Sequence, residues 1–286
     1  AARTQILLTV VSGTFSSGEV IKKTSDAGVT VTISNAGDSA IPGYEQYNAT
    51  AENVTFSGST LSATNYARIY TAASARHAGV WDDAKAKLTT TAKGLYLRDR
   101  FIRVEGFQID QTLTAGVVGT VEIDQSGTSI TSTDIRVSHC LIRYTGSSSS
   151  SCHGINCTDD AGVTAGGVVR LFNNIIYDFT SGTTSCGMVC ADATTTYYIY
   201  NNTIHTCDYG VYQAAGTVYT TNNGAVSITT TAFFGTQTQV TNSTSTPTFV
   251  NAGAKDFRLA SGDTTWHNLG TTSPGNGLFS DDIAGQ

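Results

Sequence analysis

The chain has 286 residues, six cysteines and a formal net charge of −6, with only 13% of its residues charged. That balance offers no basic footprint for a nucleic-acid partner, and no run of 18 apolar residues is present to span a membrane. Length and composition leave one elongated all-β domain with a large core, rich in Gly, Thr and Ser as β-structure tends to be.

Residues 1–40 hold three short alternating runs: Gln5 to Val11, Glu19 to Lys22 and Val29 to Ser34. Gly-Ser turns separate them. They are expected to form an N-terminal β module that covers an otherwise exposed strand edge. Residues 41–93 open the next unit. Tyr66 to Ala73 (YARIYTAA) reads as strand. AKAKL favours helix by propensity alone, but the TTT that follows at once favours loop and strand.

From 94 to 226 one pattern recurs. VVRLFNNIIYDF and YYIYNNTIHTC each join two alternating runs through an asparagine pair, Asn173-Asn174 and then Asn201-Asn202. Looser copies are FIRVEGFQID, DIRVSHCLIR and VYTTNNGAVS. With the second residue of each pair as marker (Gly106, His139, Asn174, Asn202, Asn223), the spacings are 33, 35, 28 and 21 residues. A variable period around a constant core is the mark of stacked repeats with loops inserted on one side. The runs alternate with period 2, so they are short strands. Asn suits the corner because it tolerates left-handed backbone, and stacked amides can hydrogen-bond from rung to rung. A second strand precedes each marker: GLYLR (Gly94 to Arg98), TVEID (Thr120 to Asp124), HGINC (His153 to Cys157), CGMVC (Cys186 to Cys190) and GVYQ (Gly210 to Gln213). Each coil therefore carries about three strands. Residues 227–286 are expected to close the solenoid as a final coil and cap, and the loops YTGSSSSS (Tyr144 to Ser151) and TDDAGVTAGG (Thr158 to Gly167) to rise together over one part of its surface.

This arrangement resembles the right-handed parallel β-helix of pectate-lyase-like proteins and phage tailspikes. The fold expected is all-β: a single-stranded right-handed parallel β-helix over residues 41–226, with the N-terminal module and C-terminal cap. Two further stretches carry resemblances. The pattern GTFxxGExI…TSxAxVTV is similar to a small β module of phage virion proteins. The run DFRLASGD, with Asp256, Phe257, Leu259 and Gly262, and the ending with Asp282 and Gly285, resembles the C-terminal signature of many β-helix proteins. Asp263-Thr264-Thr265-Trp266 stands where those usually have Ser-Pro-Ala.

The cysteines are Cys140, Cys152, Cys157, Cys186, Cys190 and Cys207. The rung alignment puts Cys157 beside Cys190, and Cys152 beside Cys186, as disulfide candidates, with Cys140 and Cys207 left as a third possible pair. A rung spacing of about 4.8 Å lies just beyond the usual Cβ separation of roughly 3.5–4.5 Å, so buried free thiols packing as small hydrophobes are an equal alternative.

The same alignment stacks Asp99, Gln125, Asp159 and Asp192. Asp159 over Asp192, with Asp160, Glu122 and Asp124 nearby, gives a candidate catalytic acidic cluster. Two carboxylates about 5 Å apart are near the spacing of a retaining glycosidase pair, and their repulsion would raise one pKa and leave an acid. Calcium held by Asp159 and Asp192 is a second reading, and turn-forming Asp at strand ends a third; no other cofactor is expected. The resemblance itself argues against an enzyme: polygalacturonase relatives carry NTD, DD, GHG and RIK in that order, and here Cys152-His153-Gly154 precedes Asp159-Asp160 and no RIK follows. Among the tyrosines, Tyr96, Tyr144, Tyr209 and Tyr212 are candidate sugar-stacking rings, with burial in the rungs as the plain alternative. Sequons at Asn48, Asn53, Asn156, Asn201 and Asn242 are weak evidence of a glycosylating host.

The function expected is a non-enzymatic extracellular or virion surface protein, a fibre, decoration or glycan-contacting component. Its partners would be a polysaccharide or cell-surface glycan, other virion proteins or copies of itself. The alternative is a glycoside hydrolase or polysaccharide lyase using the acidic cluster.

Overall fold

The structure, a computed structural model, describes residues 20–22, 30–32, 40–41, 53–57, 61–63, 66–116, 118–124, 133–158, 167–267 and 269–271. Most of the N-terminal module, Gln125, Asp159, Asp160, Asp282 and Gly285 lie outside them. Within the module, Val20–Lys22 and Thr30–Thr32 pair antiparallel.

The repeat folds as the alternation requires. Strands enter three parallel sheets in rotation, so that every third strand returns to the same sheet, and the chain forms a right-handed parallel β-helix. Sheet 1 runs through Val54–Phe56, Leu95–Leu97, Val118–Asp124, Cys152–Thr158, Cys186–Cys190, Tyr209–Gln213 and Thr231–Phe234. Sheet 2 contains Ala40–Ile41, Ala67–Tyr70, Ile102–Glu105, Ile135–Ser138, Val168–Phe172, Thr196–Tyr200, Thr217–Thr221 and Thr238–Val240. Sheet 3 contains Lys87–Thr90, Gln108–Gln111, Leu141–Tyr144, Ile175–Tyr177, Thr203–His205 and Gly224–Val226. AKAKL thus leads into a strand and not a helix.

Apolar residues at a constant register position fill the interior. In sheet 1 the inward column is Leu95, Val121, Ile155, Met188 and Val211. In sheet 3 it is Leu88, Ile109, Ile142, Ile176 and Ile204. These side chains belong to one continuous buried cluster. A single rung leaves its apolar side chains open above and below, so burial is completed by the neighbouring rungs.

The corner between sheets 2 and 3 holds the asparagine pairs. The first residue of each pair is left-handed: Gly106, His139, Asn173, Asn201, Asn222 and Thr241 have φ between 51° and 79°. In the asparagine pairs the second is a buried amide, Asn174, Asn202 or Asn223. Asn202 Oδ1 accepts from the Asn174 backbone N–H at 3.0 Å, and Asn223 Oδ1 accepts from that of Asn202 at 3.0 Å. Asn174 Oδ1 and Asn242 Oδ1 do the same for Cys140 and Asn223. Each Nδ2 also donates to a carbonyl of the preceding rung, as Asn202 does to Leu171 at 2.9 Å. The marker register shifts by one residue in the early coils. Leu141 pairs with both Gln108 and Ile175, so Phe107 and Cys140 are the equivalents of Asn174, while Gly106 and His139 belong with Asn173. Gly and His satisfy the left-handed position without an amide to mark them.

The three sheets differ in what covers their outer faces. The C-terminal segment folds back over sheet 3. Its antiparallel strands Phe249–Asn251 and Asp256–Leu259 place Phe257 against Tyr177, Leu141 and Ile175, and Lys255 reaches Asp178 at 2.7 Å. On sheet 1 the outward residues Glu122, Asn156 and Val189 are buried. The outward column of sheet 2 stays partly open to solvent.

Candidate functional site

That open column has an ordered composition. Arg68, Arg103, Arg136, Arg170, Tyr198 and Tyr219 occupy one register position on six successive strands of sheet 2. The adjacent outward column is Tyr70, Glu105, Ser138, Phe172 and Tyr200. Side chains in one column are about 4.8 Å apart, so four guanidiniums stand in a row that turns into stacked rings. Tyr198 and Tyr219 lie 5.4 Å apart at 12°.

Two carboxylates interleave with the arginines. Glu105 pairs with Arg68 at 2.8 Å and Arg76 at 3.0 Å. Burial alone would raise Glu105, but the hydrogen bond and charge of Arg68 and the charge of Arg76 outweigh it and hold the carboxyl below its ordinary value. Asp134 binds Arg136 at 2.6 Å and also contacts Arg170, and these two arginines likewise hold it low against the effect of burial. Arg103 sits between these pairs with its guanidinium 3.4 Å from the Tyr66 ring centre. Burial, then the neighbouring Arg136 charge, pull Arg103 below the usual arginine value. Around Arg103 lies a cleft of about 290 Å³ lined by Tyr66, Arg68, Arg136, Glu105 and Phe172. The cleft can hold an oxyanion, and the rings beyond it can stack on planar or pyranose faces.

The sequence carries this signal within the strands of the repeat. An arginine flanked by inward aliphatic or small residues occurs in each of ARIY, IRVE, IRVS and VRLF, a pattern that lies outside the corner markers.

The expected acidic cluster is brought together only in part. The strand register on which it rests holds, since Leu97, Ile123, Cys157 and Cys190 are in line. Asp159 and Asp160 lie outside the described residues. Asp192 is buried and ties its own turn, accepting from Thr194 N–H at 2.8 Å and from the Thr195 hydroxyl at 2.9 Å. Glu122 is buried, accepting from Gly119 N–H at 2.9 Å and Asn156 Nδ2 at 3.2 Å, with Lys93 at 3.3 Å. Asp124 is buried and accepts from the Tyr96 hydroxyl, with Arg98 at 4.0 Å. No cluster of three metal-ligating side chains occurs among the described residues.

The candidate sugar rings separate. Tyr144 is a core residue whose hydroxyl donates to the Leu113 carbonyl at 3.0 Å. Tyr96 lies under Lys93 and Arg98. Tyr212 stacks on Phe234 at 4.6 Å, with Tyr209 edge-on to both.

The disulfides are corrected: all six cysteines are free and buried. Cys157 and Cys190 are in register as expected, yet each is a free, buried thiol. Cys152 and Cys186 are one residue out of register, since Ile155 pairs with Met188. Cys152 belongs to the apolar core cluster and Cys186 does not.

The chain matches no protein-family model, no curated protein and no solved structure.

Proposed function

We propose that this protein is a non-enzymatic surface component, extracellular or carried on a virion, whose β-helix presents sheet 2 to glycan. The observation that carries this reading is the outward column Arg68, Arg103, Arg136, Arg170, Tyr198 and Tyr219. It is a straight row of polar and aromatic groups, held on rigid strands and matched to an extended polymer rather than to a compact ligand. The other two outer faces are less available, one being packed under the C-terminal segment and one buried at its centre. The carboxylates expected to catalyse hydrolysis or elimination support binding over cleavage. Glu122, Asp124 and Asp192 each spend their lone pairs on structural donors, whereas a working acid-base pair faces a substrate cleft.

The test pairs two assays on one polysaccharide panel. Retention on immobilised glycans measures contact; reducing-end and unsaturated-product detection, with and without calcium, measures cleavage. Retention without product is expected for the wild type. Product that disappears in Asp192→Ala or Asp159→Ala would overturn the non-enzymatic reading.

A further inference from the structure

We infer that the cleft over Arg103 is an anion subsite, and that the polymer bound along sheet 2 is an acidic polysaccharide with widely spaced negative groups; this rests on the glycan-contacting reading above. The argument is one of charge pairing along a row. Arg68 and Arg76 share Glu105, and Arg136 and Arg170 share Asp134. Among the described residues, no ion pair or hydrogen bond joins the Arg103 guanidinium to a carboxylate. Instead it lies on Tyr66. A guanidinium stacked on a ring keeps the N–H edge of its plane available for a bidentate oxyanion. The two flanking guanidiniums add favourable potential for that anion, while Glu105 is the single carboxylate lining the cleft.

The same pairing selects the polymer. Glu105 and Asp134 lie close on either side of the open position and would repel a second or third negative group placed one rung away. Single-stranded nucleic acid, with a charge on every nucleotide, meets that repulsion repeatedly. A glycan with one carboxylate or sulfate per disaccharide sets one charge at Arg103 and lays neutral sugar toward Tyr198 and Tyr219, where two stacked rings continue the column.

The experiment measures affinity of the full chain for hyaluronan (one carboxylate per disaccharide), κ-carrageenan (one sulfate per disaccharide), neutral dextran and single-stranded DNA at low and moderate salt. Variants are Arg103→Gln, Arg103→Lys, the double variant Tyr198→Ala/Tyr219→Ala, and Arg258→Gln as a remote control, each checked by thermal melting. Expected are salt-sensitive binding to hyaluronan or κ-carrageenan, and neither dextran nor DNA held as tightly. Arg103→Gln should weaken binding about ten- to a hundredfold, Arg103→Lys less, and Arg258→Gln not at all. Preference for hyaluronan over κ-carrageenan would identify carboxylate, and the reverse sulfate. Equal binding of dextran, unchanged in Arg103→Gln but lost in the tyrosine double variant, would overturn the anion subsite and leave the glycan reading standing. Tighter binding of DNA would overturn the choice of polysaccharide. No retention on any glycan would overturn both.

Discussion

The Trp266 ring occupies the space where Gly224 would carry a side chain. A Cβ built on Gly224 overlaps the ring itself, and the indole N–H donates to the Ser245 carbonyl at 2.8 Å. The absence of a side chain at the end of sheet 3 therefore lets the returning C-terminal segment settle onto it. Gly224→Ala is expected to cost about 1–3 kcal/mol by overpacking and to loosen residues 249–267. The readout is trypsin, because Lys255 and Arg258 are the only lysine and arginine beyond Arg170. Cleavage there should appear in the variant while the coils stay resistant; protection equal to wild type would show that the ring does not seat the segment.

Asn202 offers a test of the corner. Its amide accepts from Asn174 N–H and donates to Leu171 and Tyr200 carbonyls. Asn202→Ala leaves these buried groups without partners and should destabilise by about 3 kcal/mol. Asn242 makes the same contacts on the last such rung but is half-exposed, so water can replace it and Asn242→Ala should lose about 1 kcal/mol. Urea midpoints of the two variants would rank them, and equal losses would mean that solvent reaches the inner rungs as well.

Two histidines, buried His77 and half-buried His153, make stability pH-dependent. Burial pulls both His77 and His153 down to about 4. His153 Nδ1 accepts from Cys186 N–H at 3.2 Å and His77 Nδ1 from Gly79 N–H at 3.2 Å, so each is held neutral. The unfolded chain takes up these protons near pH 6.5 and the folded chain only near 4. Their stabilising effect is complete above about pH 6.5 and is lost progressively as pH falls toward 4, by on the order of 3 kcal/mol for each. His153→Asn keeps an acceptor and removes the proton site. Chemical denaturation from pH 7 to 4 should therefore show a shallower decline in that variant, and identical slopes would rule His153 out.

The thiols should be silent in the folded state. Burial pushes Cys140 up to about 11 and Cys186 up to about 12, leaving almost no thiolate at neutral pH. A disulfide-exchange reagent at pH 8 is expected to modify no cysteine before unfolding and six after it. Intact mass without reductant checks the same point, since each bridge would lower it by about 2 Da.

The solenoid was legible because amides at a corner are conspicuous among apolar runs, and alternation fixes which face turns inward. The one-residue slip at Gly106 and His139 arose where the left-handed backbone is held by residues that leave no amide beside them. Asn242 was hidden for a related reason: Thr241, not Asn, precedes it in the left-handed position. The arginine column was present in the repeat itself, but net charge averages over the chain and conceals a local row. The fates of Glu122 and Asp192 were not readable at all, since an Asp that ties a turn and an Asp that faces a substrate have the same letter and the same spacing.

The ladder has a direction, and the direction matches biosynthesis. In each coil the asparagine amide reaches backward: Asn174, Asn202, Asn223 and Asn242 all satisfy a main-chain donor of the coil before. A newly made coil thus finds its own amide's partners already in place, and leaves one buried N–H open until its successor arrives. Assembly from the N-terminus proceeds by closing the last vacancy and creating the next, so the growing end, rather than any finished coil, is where the chain is exposed to mispairing.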